Sequence, residues 1–438
     1  MADIIEPRVL KGFRDFLPAA QSARLALIEK IEATFRAFGF VPIDTPALEY
    51  AEILLGKGGG ETEKQIYRFK DNGGRDVALR FDLTVPFARF VAQHGSQLAF
   101  PFKRYHIGKV WRGENAQRGR FREFTQCDFD IIGSDGAAAD FEILLIARSA
   151  LRALGVGATI RVNHRGLFNR FLEKLGQQEN LAGILRAVDK AGKAGAQETA
   201  ESLAAIAGDR NARGILDFIR APAPGESFRE ALSRAEDLSG GPSEESRRLA
   251  LLDDFARDSG ESPFALDASI TRGLDYYTGM VFETFLDELP DIGSVSSGGR
   301  YDNLAGLYSK REISGVGASV GLDRLFAALE ILGRASDAAP GARLGIACLN
   351  EESAGLYQAL AARFRSLGLA CEVFGERAEP ARQFALAEKK GLLWMAIPGE
   401  NPLSDPLALR NLSARKNREG LTVEEAARIV LEASGGAD

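Results

Sequence analysis

The chain has few of the residues that build disulfide frameworks or metal sites: its 438 residues include three cysteines and three histidines. Cys127, Cys348 and Cys371 do not form an even disulfide set, and their spacing is not that of a metal site, so we expect buried thiols in a reducing compartment. Long apolar runs are also absent, since no stretch reaches the roughly 18 residues of a membrane-spanning helix. The first residues are charged and lack the apolar segment of a secretion signal. These absences predict a cytoplasmic protein that does not enter the membrane.

Length and net charge set looser limits. At 438 residues the chain is too long for one typical hydrophobic core, so two or three domains are expected. The formal net charge of −6 is not that of a strongly basic nucleic-acid binder. Binding to RNA nevertheless needs only a local basic surface, which leaves a nucleic-acid substrate open.

Residues 103–133 are the most informative segment and predict a β-hairpin. A strand from Lys103 to Glu114 is followed by a polar turn and a second strand from Phe121 to Gly133. Many lysines and arginines around one hairpin favour a polyanionic ligand, although a solvated hairpin is the plain alternative. Side chains of a strand alternate between its faces. One face of the first strand therefore carries Arg112 and Glu114, and one face of the second carries Phe124, Gln126, Asp128 and Asp130.

Four segments together resemble the class II aminoacyl-tRNA synthetases, in their histidyl form. The hairpin is similar to motif 2 of that class. Arg272–Gly279 (RGLDYYTG) resembles a peptide peculiar to the histidyl enzymes, Gly298–Asp302 (GGRYD) resembles their next active-site segment, and Gly315–Leu325 resembles motif 3. One glycine-rich match would be weak, whereas four in this order indicate the family. The resemblance runs from about Gly12 to the C-terminus and is weakest at about 171–260.

The resemblance implies an α+β fold. A class II catalytic core built on an antiparallel sheet, with a helical insertion, is followed by a small α/β anticodon-binding domain. The residue pattern agrees, because strands alternate with helices from residue 343 onward. The implied order is the first part of the catalytic core with motifs 1 and 2 (1–170), the helical insertion (171–260), the second part of the core (261–333), a linker (334–342) and the anticodon-binding domain (343–438).

The implied reaction joins L-histidine to ATP, releases pyrophosphate, and then moves the histidyl group to the 3′ end of the histidine tRNA. Arginines suit the phosphate chemistry because a guanidinium is planar, permanently charged and bidentate. By resemblance, Arg112 contacts the α-phosphate and the carboxylate of histidine, and Arg324 holds the γ-phosphate. Arg272 stabilises the α-phosphate where relatives use a metal ion. Glu114 accepts a hydrogen bond from the adenine amino group, and Phe124 stacks on the adenine ring.

The resemblance also implies a pocket for histidine. Its ammonium needs acceptors, and each imidazole nitrogen needs a partner. Asp82 and Thr84 are two apart on a predicted strand and so share a face. Asp82 and Asp130 stand where many bacterial relatives have glutamate, which leaves the individual partners of each carboxylate open. The expected histidine-binding residues are Asp82, Leu83, Thr84, Arg112, Gln126, Asp130, Arg272, Tyr276, Tyr277 and Tyr301.

The remaining expectations concern partners. Mg²⁺ is expected with ATP, and the sequence does not indicate its protein ligands. Motif 1, near residues 40–50, implies a homodimer. A basic cluster of Arg410, Arg415, Lys416 and Arg418 could meet RNA phosphates or could be a solvated face. The alternative function is the synthetase-like regulatory subunit of ATP phosphoribosyltransferase. That protein typically lacks the C-terminal domain and part of the arginine set, and both are present in this chain.

Overall fold

The computed structural model describes residues 4–56, 63, 65–115, 119–220, 223, 225–262, 264–271, 277–302, 306, 308, 313–335 and 341–435. The chain divides into two compact units. The first contains Met1–Asp15 and Ala26–Ala335, and the second contains Phe16–Leu25 and Ser336–Asp438. No described helix is long and apolar enough to cross a membrane.

A large mixed sheet dominates the first unit. The strands of this unit are β1 (Val41–Pro42), β2 (Leu48–Tyr50), β3 (Arg68–Lys70), β4 (Asp76–Leu79), β5 (Phe102–Trp111), β6 (Glu123–Ile132), β7 (Ala158–His164), β8 (Ala265–Leu266), β9 (Met280–Leu286), β10 (Ser296–Arg300) and β11 (Gly315–Gly321). In the described residues the large sheet has the strand order β1-β5-β6-β11-β10-β9-β7-β8, and a separate small sheet has the order β2-β4-β3. The outermost pairs of the large sheet, β1 with β5 and β7 with β8, are parallel, and the described pairs between them are antiparallel. The antiparallel centre confirms the predicted α+β core.

The helices up to residue 335 precede, separate or follow the strands in the chain, and a run of them connects β7 to β8. They are α1 (Pro18–Ala37), α2 (Ala51–Leu55), α3 (Thr84–His94), α4 (Ala137–Ala153), α5 (Arg165–Lys174), α6 (Leu181–Ala194), α7 (Ala196–Ala207), α8 (Asp209–Phe218), α9 (Phe228–Ser239), α10 (Glu244–Asp258) and α11 (Leu322–Ile331), with short 3₁₀ turns at Gly95–Gln97, Gln178–Asn180 and Pro290–Ile292. Ser227 starts α9 with a capping box. Its hydroxyl accepts a hydrogen bond from the Glu230 backbone N–H, and the Glu230 carboxylate accepts one from the Ser227 backbone N–H.

Alternate side chains of β6 point to opposite faces of the sheet, one facing the main hydrophobic core and the other facing the candidate site. Cys127, Phe129 and Ile131 point into the main hydrophobic core. The intervening Asp128 and Asp130 are as deeply buried, at 2% exposure each, on the opposite face of the sheet. The period-two pattern predicted for this strand is therefore confirmed, and it places carboxylates against a covered surface instead of water.

The second unit has an α/β fold, in which helices accompany one sheet, and it has its own hydrophobic core. Its strands, β12 (Leu344–Ile346), β13 (Cys371–Val373), β14 (Trp394–Ile397), β15 (Leu407–Asn411) and β16 (Lys416–Leu421), have the order β13-β12-β14-β15-β16, and its helices are α12 (Ala354–Ser366), α13 (Pro380–Lys389) and α14 (Val423–Gly435), with a 3₁₀ turn at Glu351–Ser353. The pairs β12/β13 and β12/β14 are parallel, which fits the alternation of strands and helices predicted from residue 343 onward. The antiparallel hairpin β15–β16 was not predicted, and it carries the basic cluster of Arg410, Arg415, Lys416 and Arg418.

Candidate active site

Glycines on β10 and β11 make room for the site. A Cβ added to Gly317 would lie 1.9 Å from Oδ1 of Asp130, and one added to Gly315 would lie 2.6 Å from the Tyr301 ring. A Cβ on Gly299 would lie 2.8 Å from the Tyr277 ring. All three distances are too short for a real side chain. The glycines of the GGRYD and motif 3-like segments therefore allow an acidic side chain and two aromatic rings to lie directly on the sheet.

Asp130 is at the centre of the buried polar groups. The Tyr301 hydroxyl donates to Asp130 Oδ1 over 2.5 Å. Asp130 Oδ2 lies 2.6 Å from Nη2 of Arg104. Burial raises the pKa of the Asp130 carboxyl, and burial beside this carboxylate raises the pKa of Tyr301 well above its usual range. Two of the predicted histidine-binding residues are thus joined directly.

Arg104 is a member of this site that sequence reasoning missed. Arg104 was one of the hairpin cations taken to favour a polyanionic ligand, yet its exposure is 0% and its partner is a carboxylate of the protein. It lies directly across from Asp130 in the β5–β6 register. The signal was available in the sequence, because the alternation that turns Asp130 toward the site also turns its cross-strand partner.

The expected geometry of Asp82 and Thr84 is wrong. They do not share the face of a strand, because β4 ends at Leu79 and α3 begins at Thr84. Asp82 instead accepts the backbone N–H of Val85 through Oδ1 at 3.1 Å, in the manner of a helix cap. Within the described residues its Oδ2 has no hydrogen-bond partner, although Asp82 is 2% exposed. Burial raises the pKa of Asp82 to about 6.

Gln126 and Asp128 continue the acidic surface along β6. The Gln126 amide nitrogen donates to the Ser319 hydroxyl over 3.0 Å. The Gln126 oxygen and Asp128 Oδ1 find no hydrogen-bond partner in the parts of the chain that the structure describes. Burial raises the pKa of Asp128 to about 7. Sequence reasoning placed Asp128 on the correct face but did not include it in the histidine site.

Arg112 and Glu114 follow the end of β5, so they do not share the face of a regular strand as expected. β5 ends at Trp111, although the Arg112 backbone N–H still donates to the Arg122 carbonyl over 2.8 Å. The Arg112 Nε donates to the Phe81 carbonyl at 2.9 Å, and its guanidinium carbon lies 5.2 Å from the Phe124 ring centroid. Because Phe81 precedes Asp82, Arg112 lies between the predicted nucleotide residue Phe124 and the segment that carries the buried Asp82 carboxylate.

Arg324 on α11 completes a cationic cluster. Its Nη1 donates to the Ser294 carbonyl over 2.5 Å. Burial, together with the positive charges of Arg120 and Arg112, lowers the pKa of Arg324 to about 10, and the charges of Glu283 and Glu114 partly oppose this effect. The guanidinium remains charged at neutral pH, and anionic phosphates would relieve the repulsion among these arginines.

Two predicted residues, Arg272 and Tyr276, lie outside the described residues. Tyr277 is buried at 7% exposure, and its carbonyl accepts from Arg165 Nη1 over 3.2 Å. Leu83 is fully buried just before α3, and Thr84 is half-buried at its first position. Among the residues that the structure describes, no group of three or more His, Cys, Asp and Glu side chains could hold a metal ion.

Comparisons with known proteins agree on one family. The family model described as histidyl-tRNA synthetase matches residues 12–325. A protein of Treponema denticola named histidine–tRNA ligase is 54% identical over 399 residues, which cover 90% of this chain and 89% of the relative. The crystal structure of histidyl-tRNA synthetase from Nostoc sp. PCC 7120 has a TM-score of 0.84 and 28% identity, and covers 98% of this chain and 100% of that chain.

A further structural neighbour shares the fold alone. It is titled an ATP phosphoribosyltransferase regulatory subunit/histidyl-tRNA synthetase from Bacillus halodurans C. Its TM-score is 0.71 with 22% identity, and the match covers 88% of this chain and 97% of that chain. Fold likeness therefore does not separate ligase from regulatory subunit, whereas the high identity to a named ligase does.

Proposed function

The chain belongs to the histidyl-tRNA synthetase family, and we propose that the pocket around Asp130 and Tyr301 is where it binds histidine. It is an ATP-dependent aminoacyl-tRNA ligase: it activates L-histidine to histidyl-adenylate, with release of pyrophosphate, and then transfers histidine to the 3′ end of tRNA-His. The observation that supports the pocket is the buried group of three carboxylates, from Asp82, Asp128 and Asp130. Burial opposes the ionised form of all three carboxylates, so a cationic ligand beside them would stabilise their charge, and the α-ammonium of an amino acid is such a cation.

The ammonium and the imidazole have separate acceptors in this proposal. Asp82 and Gln126 each have an oxygen without a hydrogen-bond partner among the described residues, and these oxygens would accept from the ammonium, with Leu83 and Thr84 beside them. Asp130, held by Tyr301, would face the imidazole. A ring that offers the wrong donors would leave buried groups unpaired, which is the physical basis for rejecting other amino acids. Tyr277 would form part of the wall of the pocket, and Tyr276 is proposed from the resemblance alone.

ATP would bind along the arginines. Phe124 offers its ring to adenine and Glu114 offers a carboxylate to the adenine amino group, while Arg112 and Arg324 bind the phosphates. The positive charges of Arg112 and Arg120, which act on the half-buried Arg324, support this proposal, because an anion at this place removes an electrostatic cost. Fixed guanidinium groups stabilise the charge that develops as the histidine carboxylate attacks the α-phosphorus. Arg272 is proposed, from its motif, to act on the same phosphate.

Mg²⁺ fits the site as a companion of ATP. The described residues offer no metal cage, and magnesium bound to a nucleotide needs few protein ligands because phosphate oxygens and waters fill most of its shell. Glu114 and Glu283, whose charges act on Arg324, are the carboxylates that could contact it. The ion would screen negative charge on the outer phosphates.

Partners beyond the small substrates are proposed from the family and from exposed surfaces. Around motif 1 several apolar side chains are exposed, among them Val41 at 46%, Leu48 at 40% and Tyr50 at 50%, which supports a homodimer through this region. We further propose that residues 171–260 help to clamp the tRNA acceptor arm and that residues 343–438 bind the anticodon. The protein would work in the cytoplasm, where ATP and tRNA are available.

The test is aminoacylation of tRNA-His with labelled histidine, with Arg112→Ala and Arg334→Ala beside the wild type. Arg334 is a surface arginine paired with Glu288, so its removal controls for loss of one positive charge. We expect the wild type and Arg334→Ala to charge tRNA and Arg112→Ala to lose most of this activity. A wild type that does not charge tRNA-His would contradict the proposed function.

A further inference from the structure

Arg104 joins two structural elements that the proposed histidine pocket needs. Its Nη2 lies 2.6 Å from Asp130 Oδ2 on β6 and donates to the Leu83 carbonyl, just before α3, over 3.3 Å. Its guanidinium carbon lies 4.1 Å from the ring centroid of Phe87 on α3. The side chain is therefore held between the helix and the sheet. If the Arg104 side chain moved, Asp130 on β6 and the Leu83 carbonyl before α3 would both lose this contact.

The charge of Arg104 is shared among the three buried carboxylates. It favours the ionised forms of Asp82, Asp128 and Asp130 against the burial that opposes ionisation. Buried carboxylates without a counterion become protonated, and a protonated carboxyl accepts poorly from an ammonium group. Arg104 therefore maintains the negative charge of the pocket.

Two of the three guanidinium nitrogens of Arg104 lack a hydrogen-bond partner within the described part of the chain, which is unusual for an arginine whose only role is to stabilise the fold. Its Nε and Nη1 are buried and have no hydrogen-bond partner among the described residues. Buried polar atoms are normally satisfied, and an unsatisfied one costs free energy that a core of apolar side chains would avoid. A buried arginine with this cost indicates a role beyond packing.

We propose that Arg104 is a positioning residue for amino-acid recognition, which acts by orienting Asp130 and the Leu83 carbonyl and by keeping the pocket anionic. The proposal rests on the proposed function, since it takes histidine as the ligand. Arg104 acts through its neighbours, and the phosphate-binding arginines Arg112 and Arg324 have a separate task. Its loss should therefore affect histidine far more than ATP.

The chain offers a matched control. Arg148 is also buried, at 8% exposure, and its Nη1 lies 3.2 Å from Glu261 Oε2 and 2.6 Å from the Ser262 carbonyl. Its guanidinium carbon lies 4.7 Å from the Phe264 ring centroid. Arg148 thus has the same three kinds of contact as Arg104: a carboxylate, a backbone carbonyl and a phenyl ring.

The experiment is ATP–pyrophosphate exchange with the full chain, measuring KM for histidine and for ATP between pH 5.5 and 8.5. The variants are Arg104→Lys, Arg104→Met and the matched Arg148→Lys and Arg148→Met. We expect Arg104→Lys to raise the KM for histidine by about tenfold or more, the scale of one charge-assisted hydrogen bond, with the KM for ATP within about twofold of wild type. In Arg104→Met the acidic limb of kcat/KM for histidine should move to higher pH, and lysine should partly restore it.

The Arg148 variants should change neither KM nor the pH profile, whatever stability they lose. If Arg104→Met does not fold, Arg104→Lys alone decides through the split between the two KM values. An unchanged KM for histidine in folded Arg104→Lys, or equal losses for both substrates, would overturn the proposal. A wild type without histidine-dependent exchange would instead contradict the proposed function, so the two failures are distinguishable.

Discussion

The hydroxyl of Tyr301 donates to Oδ1 of Asp130 over 2.5 Å, and both residues are almost fully buried. This bond fixes one carboxylate oxygen of Asp130. The second oxygen lies beside Arg104. The carboxylate that we propose for imidazole recognition therefore has a defined orientation before any ligand binds, which lowers the entropy cost of binding.

Removal of the Tyr301 hydroxyl should weaken histidine binding selectively. In Tyr301→Phe, Asp130 Oδ1 loses its donor, and the KM for histidine should rise by about tenfold, the scale of one hydrogen bond to a charged group. The matched control is Tyr105→Phe, because the Tyr105 hydroxyl also donates to a carboxylate, that of Glu32, over 2.6 Å. Steady-state exchange kinetics would separate the two. Equal KM values for histidine in both variants would count against a role for Tyr301.

Gly317 should not tolerate a side chain. In Gly317→Ala the added methyl group would lie 1.9 Å from Asp130 Oδ1, so the carboxylate or the strand must move. We expect histidine-dependent exchange to fall by about a hundredfold or more, in line with the cost of a misplaced recognition group. Gly214→Ala is the control, since its Cβ would meet Leu175 at 3.9 Å and Phe171 at 4.0 Å, both ordinary van der Waals distances. Full activity of Gly317→Ala would show that the position of Asp130 does not matter.

The sequence predicts the parts of this site that depend on local strand periodicity better than the parts that depend on where strands and helices end. The alternation of Phe124 to Asp130 is local, and the predicted face is correct because a strand has a fixed period of two. The helix cap at Asp82 was missed, since a short polar segment before a helix and a strand end look alike in sequence.

The burial of Arg104 and the hairpin β15–β16 could not be predicted from the local sequence. The basic residues of the hairpin β5–β6, Arg104 among them, were taken to favour a polyanionic ligand. The burial of Arg104 against Phe87 of α3 is a tertiary contact, which the local sequence does not reveal. The hairpin β15–β16 was missed because its second strand, Lys416–Leu421, has a polar and exposed sequence, without the apolar alternation that indicates a strand.

Asp128 should make the stability of the ligand-free protein depend on pH. Burial raises the pKa of Asp128 to about 7 in the folded protein, whereas an unfolded aspartate has a pKa of about 3.9. The folded state thus binds more protons, and the free energy of unfolding falls as pH rises from about 4 to about 7. The groups around Asp128 that share this electrostatic balance are Arg104, His106, Arg80, Asp130 and Asp82.

Asp128→Asn removes the free-energy cost of an ionised carboxylate at this buried position. We expect the substitution to raise the melting temperature by a few degrees at pH 8, where the wild-type carboxylate is ionised. The increase should be smaller at pH 5, where the wild-type carboxyl is largely protonated, and the scale is about 1.4 kcal/mol for each unit of pKa difference. Differential scanning fluorimetry at the two pH values measures it. Asp291→Asn, which removes an exposed carboxylate, should have little effect at either pH. A stabilisation by Asp128→Asn that is equal at both pH values would contradict the pKa argument.

Arg324 should act on ATP and not on histidine. Arg324→Ala removes a half-buried guanidinium that lies within the influence of Arg112 and Arg120, and that we propose binds the phosphates of ATP. We expect the KM for ATP to rise by at least about tenfold, because a desolvated arginine–phosphate contact is a strong charge-assisted bond. Histidine affinity, measured by calorimetry without ATP, should stay within about twofold. A variant with unchanged KM for ATP would remove Arg324 from the nucleotide site.

The most direct test is ATP–pyrophosphate exchange by the purified protein with each of the twenty amino acids in turn. We predict exchange with histidine alone, and its loss in Arg272→Ala and in Asp130→Ala. Histidine-specific exchange that both variants lose would establish adenylation at the pocket described around Asp130. Histidine binding without any exchange would contradict it, and would instead match the synthetase-like regulatory subunit of ATP phosphoribosyltransferase.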